Sequence, residues 1–392
     1  MNILIYFGNQ LNPQNGGTER VACILNDFFQ KQGHSVTLLC CQQNKEEGTL
    51  PSLCLPDKNE SLSKRNITFV KELIKQKEIN LILNEGGNGD AVYLFSHDYI
   101  DKCVKIITHL HFDVIGENKH FYKTLNLPII GVSLRQATEN ILKWIKSPYN
   151  KYITLRNKRR RFRFMLEKTD MVIVLSRQSI RNFMSLIGKG DVSKLRCLRN
   201  PISFNAHNNS LINKENKILF VGRLDYKSKR IDRVLGVWRK LYKEYPKWSL
   251  SIVGSGEDRE RLYGLVKKFK LRNVFFEGKT DSEPFYRKSK ILLMTSNYEG
   301  SPMVIPEAMA NGVVPIVMDT FAGAHDVIVD GNNGCLTKPF DVVDMAVRVR
   351  GLMSDEKELL RLSHNAVNTI SHLNNNDIFN AWDILINGMF NN

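Results

Sequence analysis

The stretch from Thr295 to Ala310, TSNYEGSPMVIPEAMA, decides the fold of this chain. The apolar run ILLMT leads into it, Ser296-Asn297 ends the run, and Glu299-Gly300-Ser301-Pro302 follows as a tight turn. Glu307 then sits inside an Ala/Met-rich helical pattern, with Pro306 in the first helical turns, where a missing N–H costs little. The spacing predicts a strand, a turn and the first turn of a helix. Ligands in open α/β sheets bind at this strand-to-helix edge, where free backbone N–H groups and the helix dipole favour anions. Two carboxylates eight positions apart, Glu299 and Glu307, flank that edge. One glutamate there can serve simply as a favourable charge at a helix start, worth about 0.3–1 kcal/mol. Two of them, in a place that favours anions, fit neutral hydroxyls or a developing cation, and a sugar offers both.

Outward from this stretch the chain repeats the same unit. ILIYFG, SVTLLCC, NLILNE, KIITHLH, a short PIIGVS and MVIVLS read as strands. Helical patterns lie between them, over about 18–33, 63–77 and 135–146. Thr18 is the expected N-cap of the first helix. RCLRNPIS and the aperiodic polar stretch HNNSLINKEN then read as an interdomain linker. A second series follows: KILFVGR, WSLSIVG, NVFFEG, ILLMTS, VVPIVM and GCLTK as strands, with helices near 231–245, 259–270, 283–289, 302–311, 342–354 and 356–372. Alternating βα units mean parallel sheets covered on both faces. The expected architecture is α/β, two doubly wound Rossmann-like domains facing across a cleft. Residues 1–200 form the first and 201–376 the second, and a last helix over about 377–392 packs back on the first.

With 392 residues, 42% hydrophobic and 24% charged, the chain has the make-up of a soluble globular protein. The N-terminus lacks a basic flank and reads as a strand, and nowhere do eighteen apolar residues run together, so the expected place is the cytoplasm. Seven cysteines without a CxxC pair, most of them in apolar runs, read as reduced core residues. The net charge of +16 is unevenly placed: residues 1–200 hold 30 Lys/Arg against 18 Asp/Glu, and 151–200 hold 14 against 3. The first half therefore faces something anionic: a membrane surface, a phosphorylated substrate or nucleic acid.

Several other residues can carry chemistry. VGRLDYKSKR places Arg223, Lys227, Lys229 and Arg230 around one turn after a strand, suited to a diphosphate or else a solvated basic loop. VGSGEDRE (Gly254, Gly256) and FFEGKT (Gly278) are glycine strand ends, either plain turns or, at Gly278, a backbone edge for a flat ring. Gly16-Gly17 can approach a bound group closely. HLHFDV ends a strand with His109 and His111 on one face, structural or catalytic.

Taken together, VGRL, KR.D, VGSGE, EG, SNYEGSPMVIPEAMANGVVPIV and AGAHDVI.DGNNGCL resemble the nucleotide-sugar-binding domain of glycosyltransferase family 4, retaining enzymes of the GT-B fold. The resemblance covers nearly all of 216–340, and Glu299 and Glu307 meet the family's E-x7-E motif. It implies that Glu299 lies against the transferred sugar and Glu307 on the donor ribose, with Gly278, Gly300, Ser301, Pro302 and Met303 lining the donor site. Arg223 and a lysine would neutralise the diphosphate. Lys229, three before Asp232 as in the family's KGxD pattern, is preferred over Lys227. GGTERV resembles the family's glycine loop, so Gly16 and Gly17 carry over, and His111 resembles its active-site histidine. Asn200 and Pro201 resemble the hinge that precedes the second domain.

The resemblance implies transfer of a hexose or N-acetylhexosamine from a nucleotide-diphosphate sugar, UDP before GDP, to a glycan or lipid-linked acceptor in bacterial surface polysaccharide (lipopolysaccharide or capsule) assembly. No DxD pattern is present to hold a divalent ion on the diphosphate, so neither metal nor other cofactor is expected. Lys151 to Lys168 mixes Arg/Lys with aromatic and aliphatic residues, which fits an anionic membrane surface, a peripheral place on the inner face of the cell membrane, or merely a solvated helix. The rival readings are a GT-B nucleotide-sugar epimerase and a non-catalytic basic protein on membrane or nucleic acid. Nucleic acid is disfavoured because no stacking platform appears and the two glutamates would have no role.

Overall fold

The computed structural model describes residues 1–43, 46–87, 89–121, 134–202, 214–373 and 375–391. It holds two wholly parallel sheets. The first contains β1 (Asn2–Asn9), β2 (Ser35–Gln42), β3 (Leu53–Cys54), β4 (Leu81–Asn84), β5 (Lys105–Leu110), β6 (Met171–Val174) and β7 (Leu195–Cys197), in the order β3-β2-β1-β4-β5-β6-β7. The second contains β8 (Lys217–Val221), β9 (Ser249–Val253), β10 (Val274–Gly278), β11 (Ile291–Met294), β12 (Val314–Met318) and β13 (Cys335–Thr337), in the order β10-β9-β8-β11-β12-β13. In each, the order reverses beside the first strand, between β1 and β4 and between β8 and β11. Ligands of doubly wound sheets bind at such switch points.

Both faces of the second sheet are covered, and period-two alternation sorts the strand residues between them. Ile218 and Phe220 of β8 join Trp238, Leu250, Ile252 and Leu293 in one core cluster. Leu219 points the other way, to Val253, Tyr286, Leu292 and Ala308. In the first sheet, Leu4 and Ile82 pack with Val70 and Leu73 of helix Lys64–Gln76, while Val172 and Val174 pack with Phe162 and Phe183. Ser63 caps helix Lys64–Gln76 by accepting from the Asn66 N–H, so that expected helix starts where a cap residue allows.

The described chain divides into two compact units. One comprises Met1–Asn9, His34–Gln43 and Ser52–Cys197; the other comprises Gln10–Gly33, Asn44–Pro51 and Leu198–Asn392. The first helix, Gly17–Lys31, thus counts with the second sheet. Phe28 stacks on Phe379 of the terminal helix Asn375–Phe390 at 4.4 Å between ring centroids, and Phe29 meets Trp382 edge-on at 6.0 Å. That helix starts after Gly16, with no side-chain cap, so Thr18 lies inside it instead of capping it.

Residues 135–146 and 151–168, expected as separate segments, form one helix, Leu134–Lys168, which runs through Pro148. Proline inside a helix removes one hydrogen bond. Pro148 is exposed, so the freed carbonyl one turn back can bond water instead. The strand expected at 128–133 and the linker over 203–213 lie outside the described residues. All seven cysteines are free; Cys23, Cys40 and Cys335 are buried and Cys103 is exposed, so the core reading fits some of them only.

Candidate active site

The C-terminal edge of the second sheet is built on glycine. Gly222 N–H donates to the Val253 carbonyl at 3.0 Å, and Gly254 N–H donates to the Gly278 carbonyl at 2.7 Å. A Cβ on Gly254, whose φ is 138°, would lie 1.9 Å from the Gly222 carbonyl oxygen. These backbones meet because side chains are absent, so VGSGE is first a packing device.

Over this edge runs the loop that follows β8. Asp225 is buried and accepts from Ser228 N–H at 2.5 Å and from Arg223 Nε at 3.0 Å. Burial alone would raise its carboxyl, but Ser228 and Arg223 outweigh that and lower it. The loop is stapled to the end of β11: Asn297 N–H donates to the Ser228 carbonyl at 2.7 Å and its side chain donates to the Lys227 carbonyl at 2.8 Å. Thr295 Oγ1 donates to the Arg230 carbonyl at 2.9 Å. Arg230 stands where the KGxD pattern has glycine, and its φ of 53° is left-handed, a conformation glycine adopts without steric cost. Its guanidinium is held by Asp232 at 2.9 Å.

This loop brings two of the expected residues together. Lys229 passes over Gly222 and its Nζ lies 2.6 Å from Glu299 Oε1. Arg223 projects outward with its side chain 72% exposed. The Lys229 ammonium, preferred from the KGxD spacing, thus reaches the glutamate.

Glu307 is buried on the short helix Val304–Ala310. Two residues that the sequence did not single out hold its carboxylate: Arg20 Nη1 at 2.5 Å and the Tyr286 hydroxyl at 3.1 Å. Burial first, and then the Glu307 charge, push the Tyr286 phenol well above its ordinary value, so it stays a donor. Arg20 lies three residues after Gly17, in the first turn of helix Gly17–Lys31, and a Cβ on Gly17 would approach Met303 Cγ to 3.1 Å. The glycine loop, Met303 and Glu307 thus share one neighbourhood. A Cβ on Gly323 would lie 2.6 Å from the Gly300 carbonyl oxygen, which fixes the turn after Glu299. Asn200 donates to the Ser301 carbonyl at 3.4 Å, and Gly278 ends β10 with a φ of 77°.

His111 belongs to the other unit. It follows β5 directly and its Nε2 bonds the Glu85 carboxylate, which also takes His109 Nδ1 at 3.3 Å. Glu85 is fully buried; burial would raise its carboxyl, but the two imidazoles prevail and bring it down to about 2. Burial, and then His111, lower the His109 imidazole. Glu85 is a third residue that sequence reading missed. Two imidazoles and a carboxylate, with ligand atoms within 4.8 Å of one another, are also a donor set that divalent metals accept. Among the described residues no other such group occurs. The missing DxD pattern bears only on a metal at the diphosphate and says nothing about this group.

Most apolar residues of Lys151 to Lys168 are spent on packing: Phe162, Met165 and Leu166 are core, whereas Tyr152 is exposed. Arg159 and Arg163 donate to the carbonyls of Leu186 and Ile187, at the end of helix Arg177–Ile187.

Comparison with known proteins finds a family match over the second sheet. Residues 203–369 match the family described as Glycosyl transferases group 1. They form a group 1 glycosyltransferase domain. Lys229, Glu299 and Glu307 all fall inside it. An uncharacterized glycosyltransferase of Haemophilus influenzae is 27% identical over 359 residues, 89% of this chain and 90% of that protein. A Campylobacter jejuni α-1,4-N-acetyl-D-galactosaminyltransferase, named for a diNAcBac-PP-undecaprenol substrate, is 26% identical over 212 residues, 52% of this chain and 59% of that one. The structure of Anabaena Alr3699/HepE in complex with UDP and glucose superposes with a TM-score of 0.73 at 16% identity, over 99% of this chain and all of that one. At that identity the likeness speaks for the fold, two parallel-sheet Rossmann-like domains of the GT-B kind, and the group 1 domain is its second half.

Proposed function

We propose that this glycosyltransferase moves a hexose or N-acetylhexosamine from a UDP-sugar to a glycan or lipid-linked acceptor, with retention at the anomeric carbon and without metal at the diphosphate. The setting is bacterial surface polysaccharide assembly at the cytoplasmic face. The observation that carries the reading is the Lys229 ammonium 2.6 Å from Glu299, at the switch point of the second sheet and beside the exposed Arg223. A diphosphate arriving there takes over Lys229 and adds Arg223, so positive charge stands where the leaving group develops negative charge. Glu299, released from Lys229, accepts from the hydroxyls of the sugar. The bond from the anomeric carbon to the phosphate oxygen breaks, the acceptor oxygen bonds the same face, and its proton goes to the leaving diphosphate. His111 would bind the sugar or the acceptor. UDP is chosen because the Anabaena protein was solved with it, and a lipid-linked acceptor because the Campylobacter relative is named for one.

The reading is tested by thermal unfolding with UDP, GDP, ADP and CDP in excess EDTA. UDP at about 100 times its Kd is expected to add about 2.7 kcal/mol, a rise of several degrees. No shift with any diphosphate would remove the donor site, and a shift only after adding a divalent ion would remove the metal-free account.

Glu307 is assigned to the ribose hydroxyls, which would share its carboxylate with Arg20. Glu307→Ala would also take from the buried Tyr286 hydroxyl the carboxylate it donates to, at a cost of about 1–3 kcal/mol. Glu307→Gln keeps an acceptor for Tyr286 and is the cleaner variant. It is expected to keep most of the stability while weakening UDP about tenfold, the loss of one charge-assisted contact. Titration calorimetry giving wild-type affinity would end the ribose assignment.

A further inference from the structure

The first half of helix Leu134–Lys168 is inside out for a soluble protein. Its polar residues Asn140 and Ser147 are buried, whereas Trp144 is 64%, Ile145 61% and Leu142 56% exposed. At about 100° per residue, Ile141, Ile145, Tyr149 and Tyr152 fall within an arc of about 80°, with Leu142 about 20° beyond one end, Trp144 about 60° beyond the other, and Asn140 and Ser147 opposite. All six are exposed. Scattered exposed apolar residues are ordinary; a contiguous stripe of this size marks a contact surface.

We infer that this face docks on an anionic lipid surface, with the helix lying along it. Charge chooses the occupant. Between residues 134 and 160 the sequence holds eight Lys/Arg and one acidic residue, Glu139, which is itself paired with Arg135. A second copy of the same face would bring like charges together, whereas anionic headgroups complement them. The residue types fit as well: Trp and Tyr prefer the headgroup boundary, Ile and Leu enter just below it, and Lys146, flanking the arc beyond Leu142, keeps its charge at the surface. No described helix is long and apolar enough to cross a membrane, so the contact is lateral. The surface lies one to several turns before the Arg-rich stretch, whose own apolar residues are in the core.

The full chain would be sedimented with vesicles of phosphatidylcholine alone or mixed with phosphatidylglycerol. It is expected to pellet with the mixed vesicles, less so as salt is raised. Trp144→Glu with Ile145→Glu should reduce binding at least about tenfold, since charges on the inserted face are costly. Both positions are exposed, so unchanged circular dichroism and melting are expected and would show that the fold is intact. Absence of wild-type binding, or equal binding by the folded double variant, would overturn the inference. So would a wild-type dimer in light scattering, without lipid, that the double variant turns into a monomer.

Discussion

Arg223→Ala combined with Lys229→Ala is expected to leave a folded protein without measurable turnover. Lys229 is held in place before any donor arrives: its stem crosses Gly222, and its ammonium already sits 2.6 Å from Glu299. Losing one such preorganised charge aimed at a developing negative charge costs about 10²–10³ in kcat. Lys229→Ala alone should show a loss of that size. Arg223 is far more exposed, so its own effect should be smaller and salt-sensitive, and the pair together should fall below detection. Lys227→Ala is the comparison: the backbone carbonyl that holds Asn297 survives the substitution, so the loop stays stapled and the loss should be smaller than that of Lys229→Ala. A double variant with near wild-type turnover would mean that the diphosphate binds elsewhere. Equal losses from Lys227→Ala and Lys229→Ala would mean that the loop, not the Lys229 ammonium, is what matters.

The local pattern carried most of the fold. Strands such as Ile291–Met294 and Val314–Met318 are short runs, buried throughout and bounded by turn residues, and such runs can hardly be read otherwise. Helix Val342–Ser354 has the bounds expected, because Asp341 caps it and Asp355 follows its end. What escaped was tertiary. Nothing local says that Gln10–Gly33 counts with the second sheet; that follows from Phe28 and Phe29 meeting Phe379 and Trp382, some 350 positions on. The long helix through Pro148 escaped because proline ordinarily ends a helix, and exposure of the freed carbonyl is invisible in sequence.

The candidate site shows the same split. Glu299 and Glu307 stood out because their spacing along one chain segment is itself the signal, and Lys229 because it lies three before Asp232. Their partners were not. Arg20 lies 287 positions from Glu307, and Glu85 lies 26 positions from His111, just past the end of a neighbouring strand. A glutamate ending one strand and histidines ending the next could have suggested the second pairing, since adjacent parallel strands bring their ends together. For Arg20 the only cue was its place after the glycine loop. The Lys151 to Lys168 stretch had the composition of a surface helix, but composition cannot say which side a helix turns inward. The structure turns Phe162 and Met165 in and leaves Trp144 and Ile145 out.

Gly254→Ala is expected to destabilise the group 1 domain severely, whatever Gly254 does for a ligand. Its added Cβ would sit 1.9 Å from the Gly222 carbonyl oxygen, a backbone atom that cannot swing aside. The φ of 138° is one that L side chains rarely adopt, adding about 1–3 kcal/mol of backbone strain. Forcing β8 and β9 apart at their ends adds about 1–3 kcal/mol more, the usual cost of overpacking. The sum, about 2–6 kcal/mol, should lower the melting temperature by roughly 4–24 °C for a unit of this size. Gly264→Ala is the matched control: it is exposed in helix Arg259–Lys268 and its added Cβ meets nothing within 4 Å. There alanine should stabilise by up to about 1 kcal/mol, from helix propensity alone. Differential scanning calorimetry of the two variants separates the causes. If Gly254→Ala melts like the wild type but no longer binds UDP, the glycine serves a ligand and the packing account is wrong. If it melts far lower while Gly264→Ala does not, the close approach of β8 and β9 is what requires glycine at the end of the strand.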